Sequence, residues 1–192
     1  MTCIAGVVHQ GLVHLAGDSA SGDTDGYFVD VVHDPKVFQL GPFTMGFTTS
    51  WRMGQLLQHQ LRIPPRVQGQ NDEKYLAVTF IDAVRSCLKE GGFAKKEHEV
   101  EHGGTFLVGY QGKLYRVGSD YQVCRPREEW AAIGCGYQFA LGALHATRGW
   151  ADSPELRLEA ALHAAARYSA YVRGPIVFLK GLPQSPGSSN VL

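Results

Sequence analysis

Thr2-Cys3-Ile4-Ala5-Gly6-Val7-Val8 follows directly on Met1, and Leu12-Val13-His14-Leu15-Ala16-Gly17-Asp18 follows across a Gln10-Gly11 step. Both stretches are nearly continuous in apolar residues rather than alternating. That pattern predicts two strands, residues 2–9 and 12–18, buried on both faces of one sheet. The Gln-Gly step between them predicts a tight hairpin turn. Chain termini are ordinarily frayed and dispensable, whereas here residue 2 already belongs to a core strand.

Thr2 is small enough for a methionine aminopeptidase to remove Met1. The mature chain would then carry a hydroxyl and a free α-amine on one residue. An α-amine titrates near pKa ~7.8, so a useful fraction is neutral at cellular pH and acts as a base. Threonine activated by its own terminal amine is an established form of nucleophilic catalysis.

Composition narrows the alternatives. The 192 residues, 44% hydrophobic, suit one globular domain with a sizeable core. Eighteen basic and eighteen acidic residues cancel, and Lys95-Lys96, flanked by acids, is the one adjacent pair of lysines, so nothing points to nucleic acid. No apolar run reaches the roughly 18 residues of a membrane span. A signal-peptide pattern is absent, so a cytoplasmic chain is expected. Cys3, Cys87, Cys124 and Cys135 lack CxxC spacing; they read as reduced thiols, with no metal or other cofactor implied.

Beyond the hairpin, Ser19–Gly26 reads as a flexible polar stretch, followed by short strands at Tyr27–Val32, Lys36–Leu40 and Phe43–Phe47. The period then changes to helical for a segment holding Trp51, Leu56 and Leu57, and for residues 73–90 (Leu76, Phe80, Ala83, Val84, Cys87, Leu88). Lys95–His102 reads as a solvated loop. Strands resume at Thr105–Tyr110, Lys113–Val117 and Trp130–Ile133. Helices follow at Tyr137–Thr147 and Pro154–Tyr171, the latter with Ser153 as N-cap and Pro154 at its first position. A last strand, Pro175–Lys180, precedes a Pro/Ser/Gly tail, 181–192, expected to be mobile. Strands and helices grouped in this way favour a layered α+β fold over alternating βαβ units.

Five segments then stand in order: Thr2–Val7, Ala16-Gly17-Asp18-Ser19, Lys36-Val37-Phe38, Gly46-Phe47-Thr48-Thr49-Ser50 and Ile133-Gly134-Cys135-Gly136. Over residues 2–180 the series resembles that of proteasome β-type subunits and of the bacterial proteasome-like peptidase partnered by an AAA+ unfoldase. It looks closest to bacterial proteasome homologues. The resemblance implies a four-layer αββα sandwich over residues 1–180, the fold of N-terminal-nucleophile hydrolases.

It also implies roles. Thr2 would be the nucleophile, Lys36 the ammonium beside it, and Asp18 the carboxylate that orients Lys36. The strand-to-helix junction at Thr49 would supply an oxyanion N–H, because amides at helix N-termini are good anion donors. Cys135 stands where the family has a supporting serine, and Ser169-Ala170 stand where it has an aspartate. Ser21 and Phe47 match pocket-lining positions. Family members stack as homo-oligomeric rings around a chamber that admits unfolded polypeptide, in some cases fed by an ATP-dependent unfoldase. Two other readings remain: a ring-forming scaffold with vestigial catalysis, and an N-terminal-nucleophile amidase acting on a small molecule.

Overall fold

Strands β1 (Cys3–His9) and β2 (Leu12–Gly17) form the hairpin, turning through Gln10 and Gly11 at φ 49° and 71°. Two successive left-handed residues give the turn whose twist matches that of the strands it joins. Both faces of the hairpin are covered, which explains the unbroken apolar pattern. Cys3, Ala5, Val7 and Ala16 face one cluster with Ala140, Leu144, Leu158 and Leu162. Ile4, Val13 and Leu15 face another with Val37, Leu107 and Leu114.

The remaining elements follow in order in this computed structural model, which describes residues 2–23, 28–150 and 153–183. Strands β3 (Ala20–Gly22) and β4 (Val29–Val31) pair as a small ribbon. Strands β5 (Val37–Leu40) and β6 (Phe43–Phe47) lead into helix α1 (Trp51–His59). Helix α2 spans residues 72–90: Asp72–Lys74, a π-helical segment Tyr75–Phe80, and Ile81–Glu90. Strands β7 (Lys95–Glu97) and β8 (Val100–His102) form a second ribbon. Then come β9 (Phe106–Tyr110), β10 (Lys113–Val117), β11 (Val123–Cys124) and β12 (Trp130–Gly134). Helices α3 (Tyr137–Ala146) and α4 (Pro154–Tyr168) precede the last strand, β13 (Val177–Lys180).

Two antiparallel sheets, ordered β12-β1-β2-β13 and β11-β10-β9-β6-β5, lie face to face. Ile4, Leu15, Val37, Leu107, Leu114 and Ile133 fill the space between them. Helices α3 and α4 cover the outer face of the first sheet through Ala140, Leu144, Ala161, Leu162 and Ala165, all fully buried. Leu158, Ala161, Leu162 and Ala165 are the half-alanine inward stripe of α4, and those small residues bring the helix close to β1. Helices α1 and α2 cover the second sheet, where Phe43 stacks between Phe80 and Tyr110 at 4.7 and 4.6 Å. The result is the four-layer αββα sandwich.

Several local expectations are corrected. Ala20–Gly22 is strand rather than flexible stretch, because it is half of the β3–β4 ribbon; Tyr27, the expected start of β4, lies outside the described residues. Lys95–His102 is a hairpin rather than a loop, turning through His98 and Glu99 at φ 46° and 67°. The usual Asn-Gly signal for that turn is missing there. Ser153 occupies the N-cap of α4 but its side chain makes no capping bond. The short strand β11 had no sequence signal. Of the expected tail, Gly181 donates to Val13 O at 2.7 Å, and residues 184–192 lie outside the description.

No described helix is long and apolar enough to cross a membrane.

Candidate active site

The hairpin register decides what meets Thr2. Ile4 pairs with Gly17, and Asp18 N donates to Cys3 O at 3.2 Å, so the residue just past β2 returns beside the one just before β1. Thr2 Oγ1 donates to Asp18 Oδ1 at 2.8 Å. Lys36 Nζ, arriving from the start of β5, donates to the same oxygen at 2.9 Å. Cys3 N also donates to Oδ1, at 3.0 Å, and Ala20 N and Arg173 N donate to Oδ2 at 3.0 and 3.4 Å. All three side chains are buried, with 2% of Thr2, 1% of Asp18 and 2% of Lys36 exposed.

Burial pulls the Lys36 ammonium below its ordinary value, and Asp18 opposes that pull by charge and hydrogen bond. Nearby, burial and then the Asp18 carboxylate push the Cys3 thiol up to about 12. Cys3 is therefore neutral and packs as a small apolar residue.

The other side of Thr2 is held by the β12–α3 junction. Cys135 Sγ accepts from Thr2 N at 3.3 Å and donates to Thr2 O at 3.4 Å, and Ser169 Oγ lies 3.5 Å from the same sulfur. Gly134 has φ +94°, and a Cβ there would stand 2.1 Å from Thr2 O. Only glycine lets β12 approach Thr2 so closely.

Thr49 has φ 72°, and Ser50 N donates across it to Thr48 O at 2.8 Å. That is a γ-turn with a left-handed centre, strained for any residue and more so for a β-branched one. The strain is held by the Thr49 hydroxyl, which accepts from Thr105 N at 3.1 Å. Among the described residues no acceptor faces Thr49 N–H. A Thr49→Gly variant is therefore expected to differ little in stability. Relief of left-handed strain, roughly 1–2 kcal/mol, offsets loss of a hydrogen bond contributing about 1 kcal/mol. If the backbone amide is what matters there, its reactivity toward an acylating probe stays within about threefold. A hundredfold fall would show instead that the hydroxyl is required.

BPH from Thiobacillus denitrificans, solved in complex with epoxomicin, superposes with a TM-score of 0.77 at 18% identity, covering 96% of this chain and 100% of that one. HslV from Trypanosoma brucei gives 0.65 at 17% identity, with 93% and 98% covered. Anbu (ancestral beta-subunit) from Yersinia bercovieri gives 0.63 at 10% identity, with 93% and 81% covered. The chain has the proteasome-like N-terminal-nucleophile hydrolase fold. No protein-family model and no curated protein matches the sequence.

Within this proteasome-like fold a cleft of about 280 Å³ opens at Thr2, lined by Gly22, Lys36, Phe47, Thr48, Thr49, Ser50 and Trp51. Asp18 and Cys135 hydrogen-bond to Thr2, Lys36 shares Asp18 Oδ1 with it, and Thr49 and Phe47 lie in the cleft wall. Ser21 does not; its neighbour Gly22 does. Consecutive residues of a strand point to opposite faces, so a one-residue offset exchanges them. Trp51, whose spacing in the sequence marks only an apolar residue of α1, also lines the cleft. Ser50 caps α1, accepting from Arg52 N at 3.1 Å. Ser169, standing where the resemblance would place an aspartate, lies beside Cys135.

Proposed function

We propose that this chain is a threonine peptidase that cleaves peptides or unfolded polypeptides, with Thr2 as nucleophile once Met1 is removed. The observation that carries the reading is the single oxygen, Asp18 Oδ1, that receives both the Thr2 hydroxyl at 2.8 Å and the Lys36 ammonium at 2.9 Å. Thr2 Oγ1 attacks a carbonyl carbon, and its proton passes to the freed α-amine, directly or through a water. The C–N bond breaks as that proton reaches the leaving amine, which leaves an ester on Thr2. Water then attacks the ester while the amine takes its proton; the acyl C–Oγ1 bond breaks, the proton returns to Thr2 Oγ1, and the product leaves as a carboxylic acid. Lys36 favours loss of the hydroxyl proton and keeps the nearby amine neutral, since like charges disfavour protonation. Thr49 N–H, without a protein acceptor, is the donor for the developing oxyanion.

The helical face supports self-association into stacked rings. Tyr137, Phe139, Trp150, Leu156 and Tyr168 are exposed on or beside α3 and α4, with the Phe139 and Tyr168 rings 5.5 Å apart, and apolar side chains of this kind suit a contact between subunits. A closed chamber would restrict entry to unfolded chain, and an ATP-dependent unfoldase is the class of partner that would supply it, in the cytoplasm.

A second reading, a ring-forming scaffold with vestigial catalysis, is favoured by one observation: among the described residues the acceptor of Thr2 N is the Cys135 sulfur, backed by the Ser169 hydroxyl, where the resemblance leads one to expect a serine backed by an aspartate. Intact-mass analysis after exposure to a peptide epoxyketone or β-lactone separates the two. A single adduct mapped to Thr2, on a chain lacking Met1, is expected for the peptidase. An assembled, Met1-free chain that stays unmodified would establish the scaffold. A monomer by native mass would leave the chamber without a basis and favour a small-molecule amidase.

A further inference from the structure

The Lys36 ammonium has three donors, and one bond, to Asp18 Oδ1, accounts for its contacts with oxygen among the described residues. Its other neighbour is an aromatic face: Nζ stands 5.6 Å from the centroid of the Trp51 ring. That lies within the roughly 6 Å over which a cation is attracted to an indole face, the strongest of the aromatic partners. Trp51 is itself fixed from two directions. It is the first residue of α1, directly after the Ser50 cap. Its ring also meets Phe47 edge-on, at 5.4 Å and an interplanar angle of 76°. Phe47 in turn fills the space left by Gly54, where a Cβ would lie 2.3 Å from the ring.

We propose that Trp51 is a positioning residue for Lys36: its indole face holds the buried ammonium over Thr2, and the same ring narrows the cleft toward small substrate side chains. The inference rests on the reading of Thr2 as nucleophile. A lysine with one carboxylate and no other acceptor has rotational freedom about its stem, and the ring removes it. The ring also adds attraction for the ammonium without adding a second carboxylate, which would draw the proton more tightly onto nitrogen. The charged and titratable groups facing Lys36 among the described residues are Asp18 from the end of β2, Cys3 from β1 and Cys135 from the β12–α3 junction, joined by the Thr2 α-amine once Met1 is removed; none of them lies on α1.

The test uses the assembled chain with Trp51→Leu, Trp51→Phe and site-specific incorporation of a ring-fluorinated tryptophan, which empties the π face at nearly constant shape. Thr2 acylation by a peptide β-lactone is followed by intact mass across pH. Fluorination and Leu are each expected to slow acylation about tenfold at neutral pH and to bring the alkaline decline to lower pH, while Phe restores most of the rate. Leu alone should also raise relative reactivity toward probes with larger apolar side chains before the scissile bond. Unchanged rate and pH profile in the fluorinated protein would overturn the positioning role, even if Leu fails to assemble. A second arm, in a Thr2→Ala background, measures pH-dependent acetylation of Lys36 by acetic anhydride and needs no catalysis. Reactivity at lower pH in the fluorinated protein supports the proposal; identical curves refute it. Absence of any Thr2 adduct on the unsubstituted chain would instead sink the peptidase reading, and the labelling arm would still report on Trp51.

Discussion

If the chain is the ring-forming peptidase proposed, Thr2→Ala should leave its assembly intact and lower peptide turnover by at least ~10³-fold. Stability changes little, because the deleted hydroxyl is one of five donors on Asp18; Lys36, Cys3 N, Ala20 N and Arg173 N remain. Loss of one such bond costs about 1 kcal/mol. The rate falls because, among the described residues, neither thiol near Thr2 can replace its hydroxyl. Cys135 Sγ is occupied with Thr2 N and O, and Cys3 is buried with its thiol held protonated. Thr2→Ser keeps the hydroxyl and the α-amine and should retain a measurable fraction of the rate. Peptide hydrolysis, epoxyketone adduct formation and native mass should be read on the same preparations. Full turnover by the alanine variant would remove Thr2 from the chemistry.

What the sequence revealed and what it hid follow different physics. The hairpin was legible because double burial leaves an unbroken apolar run, and a two-residue turn then dictates the register that brings Asp18 to Thr2. Lys36 was assigned through the resemblance, since a lysine at the start of a strand has no local signature of burial. The two ribbons escaped because they bury little: Val29–Val31 and Lys95–Glu97 are exposed along their length, so no hydrophobic period marks them. The exchange of Ser21 for Gly22 shows the limit of position matching in a strand, where one residue changes the face. Trp51 was hidden by an ambiguity of role. An aromatic at a helix start packs like any apolar residue, and only the position of the Lys36 ammonium under its ring distinguishes the two uses. The strain at Thr49 is likewise a property of the strand–helix junction rather than of the residue type, which argues against left-handed backbone.

The Asp18–Lys36 pair should respond asymmetrically to substitution. Asp18→Ala leaves a buried ammonium facing no acceptor, with Trp51 as its remaining partner. Stranding one member of a buried pair costs ~3–5 kcal/mol, on the order of 10 °C in Tm for a chain of this size. Lys36→Met leaves the Asp18 carboxylate with Thr2 Oγ1 and three backbone amides, and a side chain of similar length fills the space, so its melting temperature stays close to the parent's. On the proposed mechanism, in which Asp18 holds the ammonium beside Thr2, both variants should lose turnover by at least ~10²-fold. pH gives the second readout. Because burial lowers the Lys36 value from 10.5 in the folded chain, the unfolded chain binds the extra proton first, and native stability rises with pH between the lowered value and 10.5. Relative to the parent, Lys36→Met should lack that alkaline rise in urea-unfolding free energy. Equal destabilisation by the two substitutions, or parallel pH curves, would mean that Lys36 is solvated rather than sealed beneath Trp51, and that Asp18 is not its indispensable partner.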